Sequence, residues 1–392
     1  MAHNTQADPV KNIAAIVGKL TYYSRVEAEI LGAANAFNAL GEDMLSRAIA
    51  ETPGQSIILS SYSAAAALAI IAEGAGGSTR ASVLRALGLD ADMPQGLLAD
   101  LHGKISKSFG DTGSGVETAV ANALWACSDA GVHPAFSDLM KRTMDATVET
   151  VDFGSPATLA LINDWCSAST KGMIPKLLDQ ISPGTPLMLA NATYFKGEWQ
   201  KKFEKVQTRP VTFRDGFGHS FDVPMMHRSG SMKYGEVGAT QAVALPYGKN
   251  GEFEAMIVLP EQGALLPEHI PMSFRTGQLG LPQMDLAWKS PLDQTLVARG
   301  MGPAYASGAD YSAMAKGGMT LGTVFQSARM KVDEEGTVAA AVTGGMMRAT
   351  CIRIPEPPFQ MICNRPFIFM VRHIETNILL FQAYVVNPGI YA

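Results

Sequence analysis

KVDEEGTVAAAVTGG, residues Lys331 to Gly345, fits neither ordinary reading of a soluble chain. An acidic turn runs into Gly336-Thr337, then Val338-Ala339-Ala340-Ala341-Val342-Thr343, then two glycines, and no charge stands between Thr337 and Met347. A stable helix would not carry two threonines, two valines and a Gly-Gly pair so close together. A fixed core strand would carry larger side chains. As a strand, the stretch sorts Thr337, Ala339, Ala341, Thr343 and Gly345 onto one face and Val338, Ala340 and Val342 onto the other. The first face is small throughout, so such a strand could slide between two existing strands without clashing with a formed core. Fourteen residues from Thr337 would reach about 45 Å when extended, and each ladder hydrogen bond adds about 1 kcal/mol net. Composition alone leaves two readings open: a segment with both an exposed-loop and an inserted-strand state, or a Gly/Ala-rich surface loop without a role.

The rest of the chain supplies a body for either reading. Its 392 residues are 47% hydrophobic and 17% charged, enough for a sizeable core and too apolar for disorder. A net charge of −5 argues against a nucleic-acid partner, which would call for a basic face. No run of 18 apolar residues appears, and no polybasic patch, so no membrane partner is expected. The start, MAHNTQADPVKNIAAIVGKLTYY, lacks the basic, apolar and small-residue segments of a signal peptide. Cys127, Cys166, Cys351 and Cys363 lie far apart and form neither a metal motif nor a disulfide framework.

Periodicity places several elements. Residues 26–50 repeat apolar positions at helical spacing, from Ile30 to Ile49, and stop at Pro53-Gly54. SIILS reads as a short strand, and Ser61-Tyr62-Ser63 as the cap of an Ala-rich helix. Ser78-Thr79 open a further helix that Gly88 ends. TAVANALWACS reads as a strand, and Ser155-Pro156 as an N-cap with proline in the first turn. PLMLANATYF is a strand buried on both faces, and FEAMIVLP and PFIFMVRH…NILLFQAYVVNP add more. Helices dominate the first half and strands the second, without strict alternation, so the expected class is mixed α+β in one large unit.

Catalytic motifs fail on inspection. DTGSG, 111–115, matches an aspartic-protease tetrapeptide, but that chemistry needs a second such carboxylate and none follows. G-x-S-x-G and phosphate-loop patterns are missing. His133 and His227 stand alone rather than in a ligand set, and nothing around Cys351 suggests a depressed pKa.

Longer stretches resemble a known family. KVDEEGTVAAAVT looks like the reactive-loop hinge of the serpins, and NRPFIFMVRHIETNILLFQAYVVNP, Asn364 to Pro388, is similar to the serpin C-terminal signature. SIILSSYSAAAALAIIAEGAGGSTRASVLRALG, INDWCSASTKGMIPKLL, LANATYFKGEWQKKF, DVPMMHRSG, LPYGKNGEFEAMIVLP and SGADYSAM fit in order, so the likeness covers about residues 26 to 388. It implies an inhibitory, prokaryotic-type member. The implied fold has three β-sheets, a helical cap and an exposed reactive-centre loop at about 334–360. Residues 1–25 form an N-terminal extension and 26–392 a single domain.

The implied activity is suicide inhibition of a serine protease, with no catalysis by the chain itself. The alternative is a non-inhibitory serpin acting as carrier, chaperone or structural factor. Carried over residue by residue, Glu334, Glu335, Gly336, Thr337 and Ala339, Ala340, Ala341 match the hinge. Trp199 matches the aromatic where the loop enters the sheet, called the breach. Ser60, Ser63, Asn163 and Asn191 match the polar cluster under the sheet's opening, called the shutter. The cluster's usual histidine is Gln326 here and its usual proline is Ser61. A glutamine both donates and accepts, so the network can survive. Counting fourteen residues from Gly336, as the family implies, puts the scissile bond at Thr350–Cys351. The rival is Arg348–Ala349, and a segment somewhat longer than common, Gly336 to Pro366, loosens the count. The resemblance implies an elastase-, subtilisin- or chymotrypsin-like target, a monomer, and no cofactor or metal. Secretion is expected on family grounds, with the cytoplasm as the alternative.

Overall fold

The structure is a computed structural model and describes residues 10–19, 28–109, 115–316, 318–337 and 357–390. The helices are α1 (Ile13–Lys19), α2 (Ala28–Glu51), α3 (Ser61–Gly74), α4 (Gly77–Leu87), α5 (Leu97–Ser108), α6 (Pro134–Met144) and α7 (Pro156–Ser169), followed by short helical turns between Asp293 and Tyr305. The strands of the first two thirds are β1 (Ile57–Leu59), β2 (Val116–Cys127), β3 (Thr147–Val151), β4 (Leu187–Glu198), β5 (Arg209–Arg214), β6 (Ser220–Val237), β7 (Thr240–Tyr247) and β8 (Phe253–Leu259). Then come β9 (Ser273–Pro282), β10 (Met284–Pro291), β11 (Thr323–Val332), β12 (Gly336–Thr337), β13 (Phe359–Ile362), β14 (Phe367–His373) and β15 (Leu379–Val385).

These strands make two hydrogen-bonded ladders. One has six strands in the order β10-β11-β4-β2-β3, with β12 on β4. The other has nine, in the order β1-β15-β14-β8-β7-β6-β9-β13, with β5 on β6. The three expected sheets reduce to two ladders because β6 runs through 18 residues. Its first part pairs with β5 and its last part with β7, so two sheets share one strand.

Helix α3 lies between the ladders with every one of its 14 residues buried. Its run of alanines lets both sheets approach closely, which bulkier residues would prevent. Its cap is Ser60, one residue earlier than the sequence suggested; the Ser60 hydroxyl accepts from Ser63 N. Helix α4 begins at Gly77, capped by Gly76 rather than opened by Ser78-Thr79; other local signals hold. Gly88 closes α4 at φ 78°, a conformation glycine takes freely, and Ser155 caps α7 with Pro156 behind it. Within the expected N-terminal extension, the described residues 10–19 pack on the body: Val10, Ile13 and Ile16 are buried in the main core, and Glu42 of α2 accepts from Asn12 N and Ala14 N.

On the outer face of the six-stranded ladder, α7 covers a separate, smaller core. Ile162 and Cys166 of α7 pack there on Ala123 and Trp125 of β2 and on Met188, Ala190 and Ala192 of β4. Trp165 meets Trp125 edge-to-face at 5.2 Å. Alternation along β4 therefore aims Met188, Ala190 and Ala192 at α7, and Leu187, Leu189 and Phe195 at the main core. Arg329 of β11 donates to Met173 O just after α7, which ties that helix across the sheet. Truncating Ile162 to alanine leaves a cavity in this small core and costs about 2–5 kcal/mol. The urea midpoint of Ile162→Ala, followed by tryptophan emission, is expected to fall at unchanged slope; an unchanged midpoint would mean that α7 is not held by this contact.

Candidate functional site: the hinge and the opening in the sheet

Strands β4 and β11 run parallel and pair directly from Met188↔Thr323 to Thr193↔Ala328. Among the described residues their pairing goes no higher, although β4 continues to Glu198 and β11 to Val332. The upper halves diverge, and β12 enters this opening. Asp333 and Gly336 close a tight reversal, with Asp333 N donating to Gly336 O at 2.8 Å. The chain then returns antiparallel to β4, pairing Gly336 with Glu198 and Thr337 with Gly197.

Gly336 is required by geometry. Its φ is 137°, and a Cβ there would lie 2.2 Å from Gly197 O and 2.6 Å from Trp199 N. Gly197 is equally confined, since a Cβ would meet Phe195 at 2.7 Å and Tyr247 at 2.9 Å. Two glycines thus let two backbones touch, with backbone atoms crowding Gly336 and aromatic rings crowding Gly197.

Each hinge residue is anchored to the segment after β4. Trp199, 2% exposed, stacks on Tyr247 at 4.4 Å between ring centres and donates its indole N–H to Asp333 O at 2.9 Å. Trp199 N donates to Glu335 O and Phe203 N to Glu334 O, both at 2.9 Å. The Glu335 carboxylate pairs with Lys202 at 2.6 Å and Lys205 at 3.2 Å, and these contacts hold its pKa below the usual glutamate value. Glu334 is buried; it accepts from Thr208 at 2.5 Å, and both its carboxylate oxygens accept from Gln283 Nε2 at 2.9 Å. Asp333 moves the other way, its pKa raised by burial, while its carboxylate accepts from Glu335 N and Gly336 N.

Below the opening, the polar cluster is built from both parted strands. Gln326 of β11 makes a reciprocal pair with the backbone of Ser60, accepting from Ser60 N at 3.2 Å and donating to Ser60 O at 2.8 Å. Glutamine thus satisfies both partners, where a neutral imidazole has one donor and one acceptor on separate edges. Ser63 bonds to Asn191 and to Thr193 of β4, and Asn191 donates to Asn122 of β2 at 2.7 Å. Asn122 and Thr193 were missed in the sequence. A buried asparagine facing Asn191 across two predicted strands was the available signal. Ser61, in the usual proline's place, donates to Leu379 O. Asn163 does not join the cluster. Its side chain accepts from Leu177 N and Leu178 N and donates to Leu178 O, fixing the loop after α7.

Ala339, Ala340, Ala341, Arg348, Ala349, Thr350 and Cys351 lie outside the described residues. Cys127, Cys166 and Cys363 are free thiols, and burial pushes Cys166 and Cys363 up to about 12, far from a reactive thiolate.

The described residues thus show a parallel strand pair open at one end, with Gly336-Thr337 returning along β4. The family model described as "Serpin (serine protease inhibitor)" matches residues 35–388, and the chain belongs to the serpin family. It is 30% identical to Serpin B8 of Homo sapiens over 92% of this chain and 99% of that one. It is 28% identical to Serpin-Z7 of Hordeum vulgare, covering 87% and 92%. Among solved structures, human thyroxine-binding globulin complexed with thyroxine superposes with a TM-score of 0.79 at 24% identity, covering 92% of this chain and 99% of that one. The thermophilic serpin Tengpin in its native state gives 0.80 at 24%, covering 95% and 98%. The family is one of protease inhibitors, and the fold is the serpin fold.

Replacing Gly336 by alanine forces β12 off β4 and strains a backbone at positive φ, at about 1–3 kcal/mol. Trp199 loses its partners at Asp333 and Glu335 in that event. The Gly336→Ala chain is expected to show altered Trp199 emission and faster proteolysis of the 333–337 reversal; wild-type behaviour in both would refute the close approach.

Proposed function

We propose that this chain is a suicide-substrate inhibitor of serine proteases that traps its target by inserting the cleaved loop between β4 and β11. The observation that carries this is the pairing of Gly336 and Thr337 along β4 beside the divergent β11. Continued in the same register, Ala339 falls opposite Phe195, Ala341 opposite Thr193, Thr343 opposite Asn191 and Met347 opposite Leu187. Opposed residues of an antiparallel pair share a face. Thr337, Ala339, Ala341, Thr343 and Gly345 would then face α3 and the main core, and Val338, Ala340 and Val342 would face α7. Small residues enter where the space is tightest, and Thr343 would bring a hydroxyl to the Ser63–Asn191 cluster.

In the proposed mechanism the protease serine attacks the Thr350 carbonyl, and the Cys351 amine leaves as the peptide bond breaks. An acyl-enzyme remains, joined to a loop no longer held at its far end. Insertion exchanges one short parallel ladder for two antiparallel ones, at about 1 kcal/mol per new hydrogen bond. The attached protease is dragged along, its oxyanion geometry is distorted, and deacylation fails for want of that stabilisation. Trp199 and the Glu334–Glu335 anchors would hold the hinge until cleavage.

On the proposed insertion face, Thr337→Arg would carry a guanidinium onto the main-core side of the sheet. An unpaired buried charge there costs several kcal/mol, so cleavage is expected to persist while the covalent complex is lost. The check is a denaturing gel after incubation with a panel of elastase-, subtilisin-, chymotrypsin- and trypsin-like enzymes. Wild-type chain that is cut by the panel without any covalent complex would leave a non-inhibitory carrier as the reading. An Arg variant that still traps at the wild-type ratio would overturn the insertion face.

The same register separates the two candidate bonds. Met347 reaches the bottom of β4, so a cut after Thr350 carries the protease three residues past the strand, and one after Arg348 only one residue past it. A trypsin-like enzyme is therefore expected to cleave at Arg348–Ala349 more often than it is trapped. Mass spectrometry of the C-terminal fragment released by a trapped enzyme is expected to show an N-terminus at Cys351; one at Ala349 would reassign the bond.

A further inference from the structure

The segment after β4 has two sides. One holds the hinge through Lys202, Lys205 and Thr208. The other covers a cavity of about 310 Å³ lined by Gln207 and Arg209 of that segment and by Arg228, Ser229 and Gln278 of β6 and β9. The cavity gathers cations without counter-charge, in a protein whose net charge is −5. Arg228 is 9% exposed; its Nη1 donates to Lys201 O at 2.9 Å, and its buried Nε has no partner. Burial pushes the Arg228 pKa down to about 10, the mark of a guanidinium that lacks a neighbouring carboxylate. Lys201 Nζ reaches within 3.3 Å of where a Cβ at Gly230, the residue after Ser229, would stand. His227 supplies no negative charge: burial and then the Arg209 charge hold its pKa below the usual value. Glu334, on the hinge side, is taken up by Thr208 and Gln283. Among the described residues, neither Arg209 nor Arg228 is paired with a carboxylate.

We propose that this cavity, between Arg209 and Arg228, is a binding site for a phosphate group carrying at most a small organic body. A buried guanidinium without a partner is costly, and a guanidinium fork matches the oxygens of phosphate in geometry and charge. Gln207, Ser229 and Gln278 supply neutral donors around the group, and the volume leaves room beyond one phosphate. The site is coupled to the hinge by the covalent chain: Arg209 follows Thr208, which bonds Glu334, and Arg228 holds the carbonyl of Lys201, next to Lys202. A bound anion therefore fixes the 201–209 segment on sheet residues 228 and 278 and steadies the hinge on its other side. This does not rest on the inhibitory reading, since binding and hinge contacts are read without any protease.

The test is a titration of the intact chain with inorganic phosphate, and in a second arm glycerol phosphate, against sodium chloride at matched ionic strength. Thermal unfolding and Trp199 emission are followed. Expected is a saturable rise in melting temperature with a saturable change in emission, and at least tenfold weaker binding in Arg209→Gln, whose side chain is exposed and not needed for folding. Arg228→Met removes the buried charge; it is expected to fold and to lose the phosphate response. Tighter binding of glycerol phosphate than of phosphate identifies an ester as the ligand type, and equal binding identifies the free ion. A phosphate response no greater than that of chloride, or a wild-type response in Arg209→Gln, would overturn the site.

Discussion

Two neighbouring strands of one sheet, β4 and β11, pair at their lower ends and part at their upper ends. Everything else near the site answers to that divergence. Strand interiors with unfilled backbone groups are costly in a folded protein, and β12 covers only the top of β4 at Gly197 and Glu198. On the proposed reading, the sheet would accept there a strand formed by the residues that follow Thr337. Metastability in this account is local: it is the difference between a ladder closed on six residue pairs and one opened to admit a new strand.

The contacts that keep the sheet closed are polar and specific. Gln326 ties β11 to Ser60, while Asn191 and Thr193 tie β4 to Ser63, so both strands are pinned to the start of α3. Across the other face, Arg329 links β11 to Asp285 and to the loop that follows α7. A strand moving down the opening must separate Gln326 from Asn191 and lift α7 from Ala190 and Ala192. Apolar packing would resist that motion in proportion to area, whereas a hydrogen-bonded cluster can exchange partners. Ala190 and Ala192 present little bulk to α7 on that face of β4.

Much of this was legible in the sequence, for physical reasons that differ by element. The nearly all-apolar run of β4 announced a strand buried on both faces, and Ser155-Pro156 and Gly88 marked helix ends through backbone chemistry that depends only on local residues. The resemblance singled out Gly336, and the structure pairs it with Glu198; Ala339, Ala340 and Ala341 lie outside the described residues. The arrangement of the shutter was not legible. Asn163 serves the loop after α7 rather than the cluster, and Asn122 and Thr193 belong to it, because partners in such a network are set by sheet register and by the seat of α3. Strands β5, β6 and β9 offered no long apolar run in the sequence, and β6 fuses two sheets by running through 18 residues. The docking of Val10, Ile13 and Ile16 on α2 depends on Glu42, some thirty residues away, and left no local trace.

If the sheet withholds a place for its own loop, cutting that loop releases the strand to fill it. Nicking a surface loop in an ordinary domain lowers stability or leaves it unchanged. The direct measurement is the thermal midpoint of the chain before and after one limited cut within 346–352. The account predicts a markedly higher midpoint for the cut chain; a midpoint at or below that of the intact chain would contradict it.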